Sequence, residues 1–205
     1  GEIITLLAGV SGPQTLLTYC APTHTAASAD PWITNVSIND LNYSSGATAA
    51  SPHMDDVPAS VATTTLSAGN TYALTISTTG TTYPNSIISV WFDWNRDGTL
   101  SAGEWYQPWT SAATGSINVT VPANAAAGLI KMRIRSRGSG NTNGSGDACT
   151  TGFGSGECED FVINIASSTY SFVWEPGNLT GNSITVAPTS TTSYIATATD
   201  PTTGC

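Results

Sequence analysis

The chain has 205 residues, with 5 Lys or Arg against 14 Asp or Glu and a formal net charge of −9. So few cations make a poor match for nucleic-acid phosphate, and no apolar run approaches the roughly 18–20 residues that a membrane-spanning helix needs. A charged fraction of 9%, with Thr, Ser, Gly and Asn abundant, points to an all-β extracellular chain.

The opening stretch Gly1–Val10 is apolar but carries Glu2 and no basic residue, so it reads as a mature or internal start whose signal peptide is already gone. Further on, β-branched and alternating runs separated by turn residues predict strands over Ile33–Leu41, Ser60–Ser67, Tyr72–Ser77, Ser86–Phe92, Ser116–Val121, Leu129–Arg137 and Cys158–Ile165. Without a convincing helix, this spacing predicts an antiparallel β-sandwich of jelly-roll or immunoglobulin-like type. Pro122–Gly128 reads as a link between strands, and the Gly/Ser/Asn-rich Gly138–Gly146 as a mobile surface loop.

Lys131, Arg133, Arg135 and Arg137 stand at period two on one face of their predicted strand, while Met132 and Ile134 point into the core. Cross-strand ion pairs with Glu157, Glu159 and Asp160 are the expected use of this stripe, with glycan or carboxylate binding as the alternative. After about Ser167 the texture changes. Tyr170–Gly177 and Thr191–Asp200 read as two strands of an immunoglobulin-like sandwich with Trp174 in its core. That segment is too short to close a sandwich alone, so it borrows strands or, the favoured reading, the chain stops part-way through a domain. The expected division is an N-terminal segment 1–18, a β-sandwich 19–166 and a partial immunoglobulin-like segment 167–205.

The four cysteines, Cys20, Cys149, Cys158 and Cys205, form no CxxC pair, and two histidines are too few for an ordinary zinc site. A disulfide within the sandwich is expected, either Cys20–Cys149 or Cys149–Cys158, in an oxidising compartment. His24 and His53 lie beside no nucleophile motif. The acid pair Glu157 and Glu159 could serve glycoside hydrolysis only at a separation that sequence does not give. The chain is therefore expected to be non-catalytic.

The densest chemical signal is Asp93–Glu104. Asp93, Asn95 and Asp97 occupy loop positions 1, 3 and 5, Gly98 takes position 6 and Glu104 closes position 12. The Thr99 carbonyl stands at position 7 and Ser101 at position 9. Calcium is a hard ion that takes six to eight oxygens, and this spacing supplies them from one loop. Strand-like sequence on both sides predicts a structural calcium loop between strands, not a helical sensor; the alternative is a metal-free Asx turn. Glu157 and Asp160 are candidates for further metal ligands. Trp91, Trp94, Trp105, Tyr106 and Trp109 cluster around the loop, and Trp94, Trp105 and Trp109 are candidates for stacking on sugar rings, or else pack in the sandwich.

Gly156-Glu-Cys-Glu-Asp160 followed by Phe161–Ile165 resembles the signature of the GEVED domain family. The resemblance extends in order through Tyr19-Cys20, Ile33–Ser37, Val90–Gly98 with Glu104, Val121–Ala123, Gly128 and Lys131–Arg135. Two departures stand out. Cys158 replaces the usual valine, which opens a Cys149–Cys158 pairing, and Ser51–Val57 lacks the usual aromatic, which leaves the role of Asp55 or Asp56 there open. The tail resembles immunoglobulin-like repeats of surface adhesins in Bacteroidetes. These resemblances imply a secreted or cell-surface protein, often multidomain and exported by the type IX pathway. Taken with the Asp93–Glu104 loop, the expected function is a non-catalytic, calcium-stabilised module of an adhesin or filament, with a surface, a glycan, another surface protein or further copies of itself as partners. A carbohydrate-binding accessory module of a secreted hydrolase or peptidase is the alternative.

Overall fold

The computed structural model describes residues 3–7, 15–25, 30–46, 53–166, 171–181 and 183–199. In chain order the strands are β1 (Ile4–Leu7), β2 (Trp32–Ile38), β3 (Leu41–Tyr43), β4 (Met54–Val57), β5 (Thr63–Ser67), β6 (Thr71–Thr79), β7 (Ser86–Phe92) and β8 (Trp105–Ala112). There follow β9 (Thr114–Thr120), β10 (Gly128–Gly138), β11 (Cys158–Ala166), β12 (Ser171–Glu175), β13 (Leu179–Thr180), β14 (Ser183–Val186) and β15 (Ile195–Thr199). Ala102–Glu104 makes one 3-10 turn. The chain is all-β, as expected.

Two sheets form the main sandwich. One has the order β3-β2-β6-β9; the other runs β4-β11-β10-β7-β8, with β5 also on β11. Period-two alternation sends Val36, Ile38, Leu74, Ile76 and Val119 from the first sheet against Ile88, Val90, Phe92, Met132, Ile134, Phe161, Ile163 and Ile165 from the second. Burying each such side chain stabilises the fold by about 1.5–3 kcal/mol. Pairing is antiparallel except along the free edge of β11, where β4 and then β5 run parallel to it. Pro58 follows β4 and has no N–H to continue the ladder, so the chain turns and resumes as β5.

The predicted Ile33–Leu41 strand divides at Asn39, whose φ of 54 suits the side-chain amide of an asparagine in a tight turn, and returns as β3. β7 is buried at every position. Its inner face fills the sandwich, and its outer face lies under a second cover made of residues 15–25 and 139–157. Trp91, Leu100 and Ala148 pack there with Tyr19 and Trp105. The Gly138–Gly146 stretch is part of that cover rather than a mobile surface loop. Asn143 is 1% exposed and donates to the carbonyls of Arg135 (2.8 Å) and Ile87 (3.3 Å), while Ser89 donates to its carbonyl at 2.5 Å. A backbone that buries its own polar groups must find partners for them, and the edges of these strands supply them.

Cys20 and Cys149 are joined by a disulfide, which ties the two covering segments together, and Cys158 is a buried free thiol. Cys205 and Asp200 lie outside the described residues. The signature glycine has a steric reason. Gly156 has φ +83, and a Cβ there would sit 1.8 Å from the Ser136 carbonyl oxygen.

The tail forms two small sheets, β13-β12-β15 and β1-β14. Phe172, Trp174 and Ile184 make its core with Leu6, Val186, Tyr194 and Ala198. Trp174 is central, as expected, and its indole N–H donates to the Gly181 carbonyl at 2.8 Å. The segment does borrow a strand. It comes from the other end of the chain.

Candidate functional site: the Asp93–Glu104 loop and the arginine face

β7 delivers Asp93 to the outer face of the large sheet, where the side chain is fully buried. Its Oδ1 accepts from the Asp97 amide at 3.0 Å; its Oδ2 accepts from the Gly98 amide at 3.0 Å and from the Tyr19 hydroxyl at 2.6 Å. Gly98, with φ +81, makes the turn that aims its amide inward. At the other end Glu104 is also buried. Its Oε2 accepts from the Ser101 amide (3.1 Å) and hydroxyl (2.8 Å), and its Oε1 from the Asn95 amide at 3.3 Å. Between them Asn95, Asp97 and Thr99 are exposed. Asp97 accepts from the Thr99 amide at 2.7 Å and the Asn95 side-chain amide at 2.9 Å, and these two donors hold its carboxyl below the usual range.

The donor set is oxygen throughout, the chemistry a hard cation requires. In the described arrangement those oxygens face the loop's own amides and hydroxyls. Among the described residues no three Asp, Glu, His or Cys side chains form a group that could hold a metal ion. The loop's two terminal carboxylates also form no ion pair among the described residues.

Tyr19 links this loop to the basic stripe. Burial and the neighbouring Asp93 carboxylate both raise the phenol pKa, and the Lys131 ammonium lies 5.3 Å from its ring centre. Lys131 pairs with Asp160 at 2.8 Å and with Asp56 at 3.3 Å. Arg133 forms a two-point pair with Asp160, both bonds 2.7 Å. Its remaining N–H groups reach the Cys20 carbonyl (2.7 Å), the Ala148 carbonyl (2.9 Å) and the Cys20 sulfur (3.1 Å). All five guanidinium donors are thus satisfied in a site with no solvent access, and one residue fastens both ends of the disulfide to the sheet.

Among the described residues Arg135 forms no ion pair with a carboxylate. It donates to the Asp147 carbonyl and to His24 Nε2 at 3.1 Å, and its guanidinium lies 4.0 Å from the Phe153 ring centre. Burial lowers its pKa to about 10. His24 is buried and donates from Nδ1 to the Ser155 carbonyl at 2.9 Å, which leaves Nε2 as the acceptor for Arg135. Burial first, and Arg135 second, bring its pKa down to about 3.

Of the acids expected opposite the stripe, Asp160 alone is there, joined by Asp56. Glu157 and Glu159 fall on the other side of β11 because side chains alternate along the strand. Glu157 accepts from the Ile33 amide between the two sheets, and Glu159 is sealed in the core beside Ile134 and Asp55. Glu157, just before β11, and Asp160, within it, are the candidates for further metal ligands; they point to opposite sides of the sheet, each already held by other groups.

The tryptophans separate as well. Trp94 stacks on Phe92 with ring centres 4.5 Å apart and donates to the Tyr106 hydroxyl at 3.3 Å. Trp105 donates to Ser89 Oγ at 2.9 Å and Trp109 to Ser86 Oγ at 3.0 Å, and Trp109 lies flat against Gly115, where a Cβ would be 2.7 Å from the ring. Beside the loop is a hollow of about 220 Å³ lined by Trp94, Asn95, Ser101, Glu104, Pro122 and Asn124 among others. Tyr19, His24 and Phe153 were not among the expected site residues. Only the Tyr19-Cys20 opening gave a sequence signal for one of them.

A β-sandwich with a stapled outer cover and an acidic loop between two of its strands is the class of domain this architecture defines. The family model of the GEVED domain matches residues 87–164, from within β7 to within β11. No curated protein matches the chain. No helix among the described residues is long and apolar enough to cross a membrane, and the Cys20–Cys149 disulfide is compatible with an extracellular protein. The domain family suggests a module of a secreted protein.

Proposed function

We propose that this chain is a non-catalytic, calcium-stabilised module of a secreted bacterial cell-surface protein of adhesin or filament type. One observation carries the reading. The acidic loop is built into the fold by two buried terminal carboxylates, Asp93 and Glu104, and is wired through Tyr19 to the disulfide-stapled cover. Asp93, Asn95, Asp97, Glu104 and the Thr99 carbonyl would hold the ion, which supplies positive charge to a loop that otherwise has only amides and hydroxyls for its carboxylates. Polar groups suited to chemistry are bonded into the structure: Asp160 to Arg133 and Lys131, Glu157 to the Ile33 amide, His24 to Arg135 and Ser155. The packing of Trp94, Trp105 and Trp109 likewise supports a structural module over a sugar-stacking one. Its partners are an extracellular surface, a glycan, another surface protein or further copies of this chain.

The test is thermal unfolding in excess EGTA, then with calcium or magnesium restored, for the chain and for the Asp93→Ala/Asp97→Ala double variant. Calcium at a hundredfold excess over Kd should stabilise by about 2.7 kcal/mol. The readout is the calcium-specific rise, which the double variant should lose whatever its baseline Tm. A Tm indifferent to calcium in the parent chain refutes the metal and leaves a self-satisfied Asx turn.

A further inference from the structure

β14 is held by one strand only. Among the described residues it is paired with none of β12, β13 and β15, and its partner β1 comes from the opposite end of the chain. The register is antiparallel, Ile4 with Val186, Thr5 with Thr185, Leu6 with Ile184 and Leu7 with Ser183. Among the described residues β1 in turn pairs with no other strand, yet Leu6 enters the core of Phe172, Trp174 and Ile184. Five large hydrophobic side chains are exposed among the described residues; Leu179 and Ile195 belong to this small unit, Ile4 to β1, and Ile3 directly precedes it. An open strand edge and scattered exposed apolar groups suit the unit to association.

We propose that β1 of one copy adds to β14 of a second copy, so that chains link through this strand. Nothing in the pairing distinguishes the two cases, because the four residue pairs and the Leu6 contact are the same within one chain or between two. The balance is then set by concentration. The closed form is favoured by the local concentration of its own β1, and the exchanged form by crowding on a surface. Because the donor and acceptor are different surfaces, the contact is heterologous and propagates into chains unless it closes as a ring. This inference extends the filament reading and does not depend on calcium, and its test reads only which strand pairs with which.

Thr5 and Thr185 are exposed and directly opposite, so they suit a cross-link. Thr5→Cys and Thr185→Cys are made separately in a Cys205→Ser background with different tags; Cys158 is buried and does not compete. The two are mixed at millimolar concentration and mildly oxidised. The expected product is a mixed-tag disulfide dimer whose yield rises with protein concentration. It should be several-fold above that from Thr5→Cys mixed with Thr192→Cys, an exposed control outside the pairing. The Thr5→Cys/Thr185→Cys double variant, oxidised dilute, should lock as a monomer and regain association when reduced. A mixed-tag yield no higher than the control, or association that persists in the locked double variant, overturns the proposal.

Discussion

Glu159 offers a test of the packing that needs no ligand. It lies on the core face of β11 with no solvent access, and among the described residues neither carboxyl oxygen has a hydrogen-bond partner. Burial raises its pKa from 4.5 to about 8, and the Asp55 charge across the parallel ladder adds to the rise. The Ser45 hydroxyl beside it works against the rise, although its hydrogen goes to the Ile33 carbonyl at 2.8 Å. The folded protein therefore keeps this proton between pH 4.5 and 8 while the unfolded chain releases it. Stability from this residue is fully present below 4.5 and is lost as pH rises through about 8. A shift of this size corresponds to about 5 kcal/mol. Glu159→Gln keeps the shape and removes the titration. Urea unfolding of both proteins from pH 4 to pH 9 gives a difference curve free of all other groups. The variant's advantage should be near zero at pH 4 and grow by about 3–5 kcal/mol by pH 9. A difference that stays flat across this range refutes a protonated, unpartnered Glu159.

His24 should act in the opposite sense. Its folded pKa of about 3 lies below the ordinary 6.5, so stability is lost as pH falls from 6.5 toward 3, by up to about 5 kcal/mol, and His24→Gln should flatten that acid limb in the same unfolding assay. Replacing Arg133 by Met should cost about 3–5 kcal/mol by chemical denaturation, because it strips Asp160 of its two-point partner and both covering segments of their anchor. Arg133→Lys should rescue little, since an ammonium has no planar fork; a loss under about 1 kcal/mol for either variant contradicts the anchoring role. The Cys20–Cys149 bond joins positions 129 apart, so Cys20→Ser/Cys149→Ser should lose about 3–5 kcal/mol. Dithiothreitol should lower the Tm of the parent and leave that double variant unchanged.

The elements that were legible are the ones whose pattern is local. β7, β9, β10 and β11 follow from apolar alternation, and the faces of β10 were readable from four basic residues at period two. The Asp93–Glu104 loop does lie between strands, as its flanks indicated. Short polar strands escaped. β4 is Met-Asp-Asp-Val, and only its place beside β11 makes it a strand. Gly138–Gly146 has the composition of a free loop but covers buried arginines, because the amide of Asn143 and the carbonyls around it answer unpaired groups on the sheet.

By itself the sequence determined that this chain is all-β, that β10 divides into a basic and an apolar face, and that an oxygen-rich loop interrupts two strands. Each follows from spacing within about a dozen residues, over which backbone periodicity fixes side-chain direction. Tertiary structure alone decided what each face meets. Glu159 and Asp160 are neighbouring acids, yet one is sealed in the core and the other paired twice, because alternation gives two faces without saying what covers them. The choice of Cys20 over Cys158 for Cys149, the parallel β4 and β5, and the distant β1 on β14 depend on chain segments meeting across long separations. Those meetings are selected by the burial and hydrogen bonding of the whole fold, which no local pattern encodes.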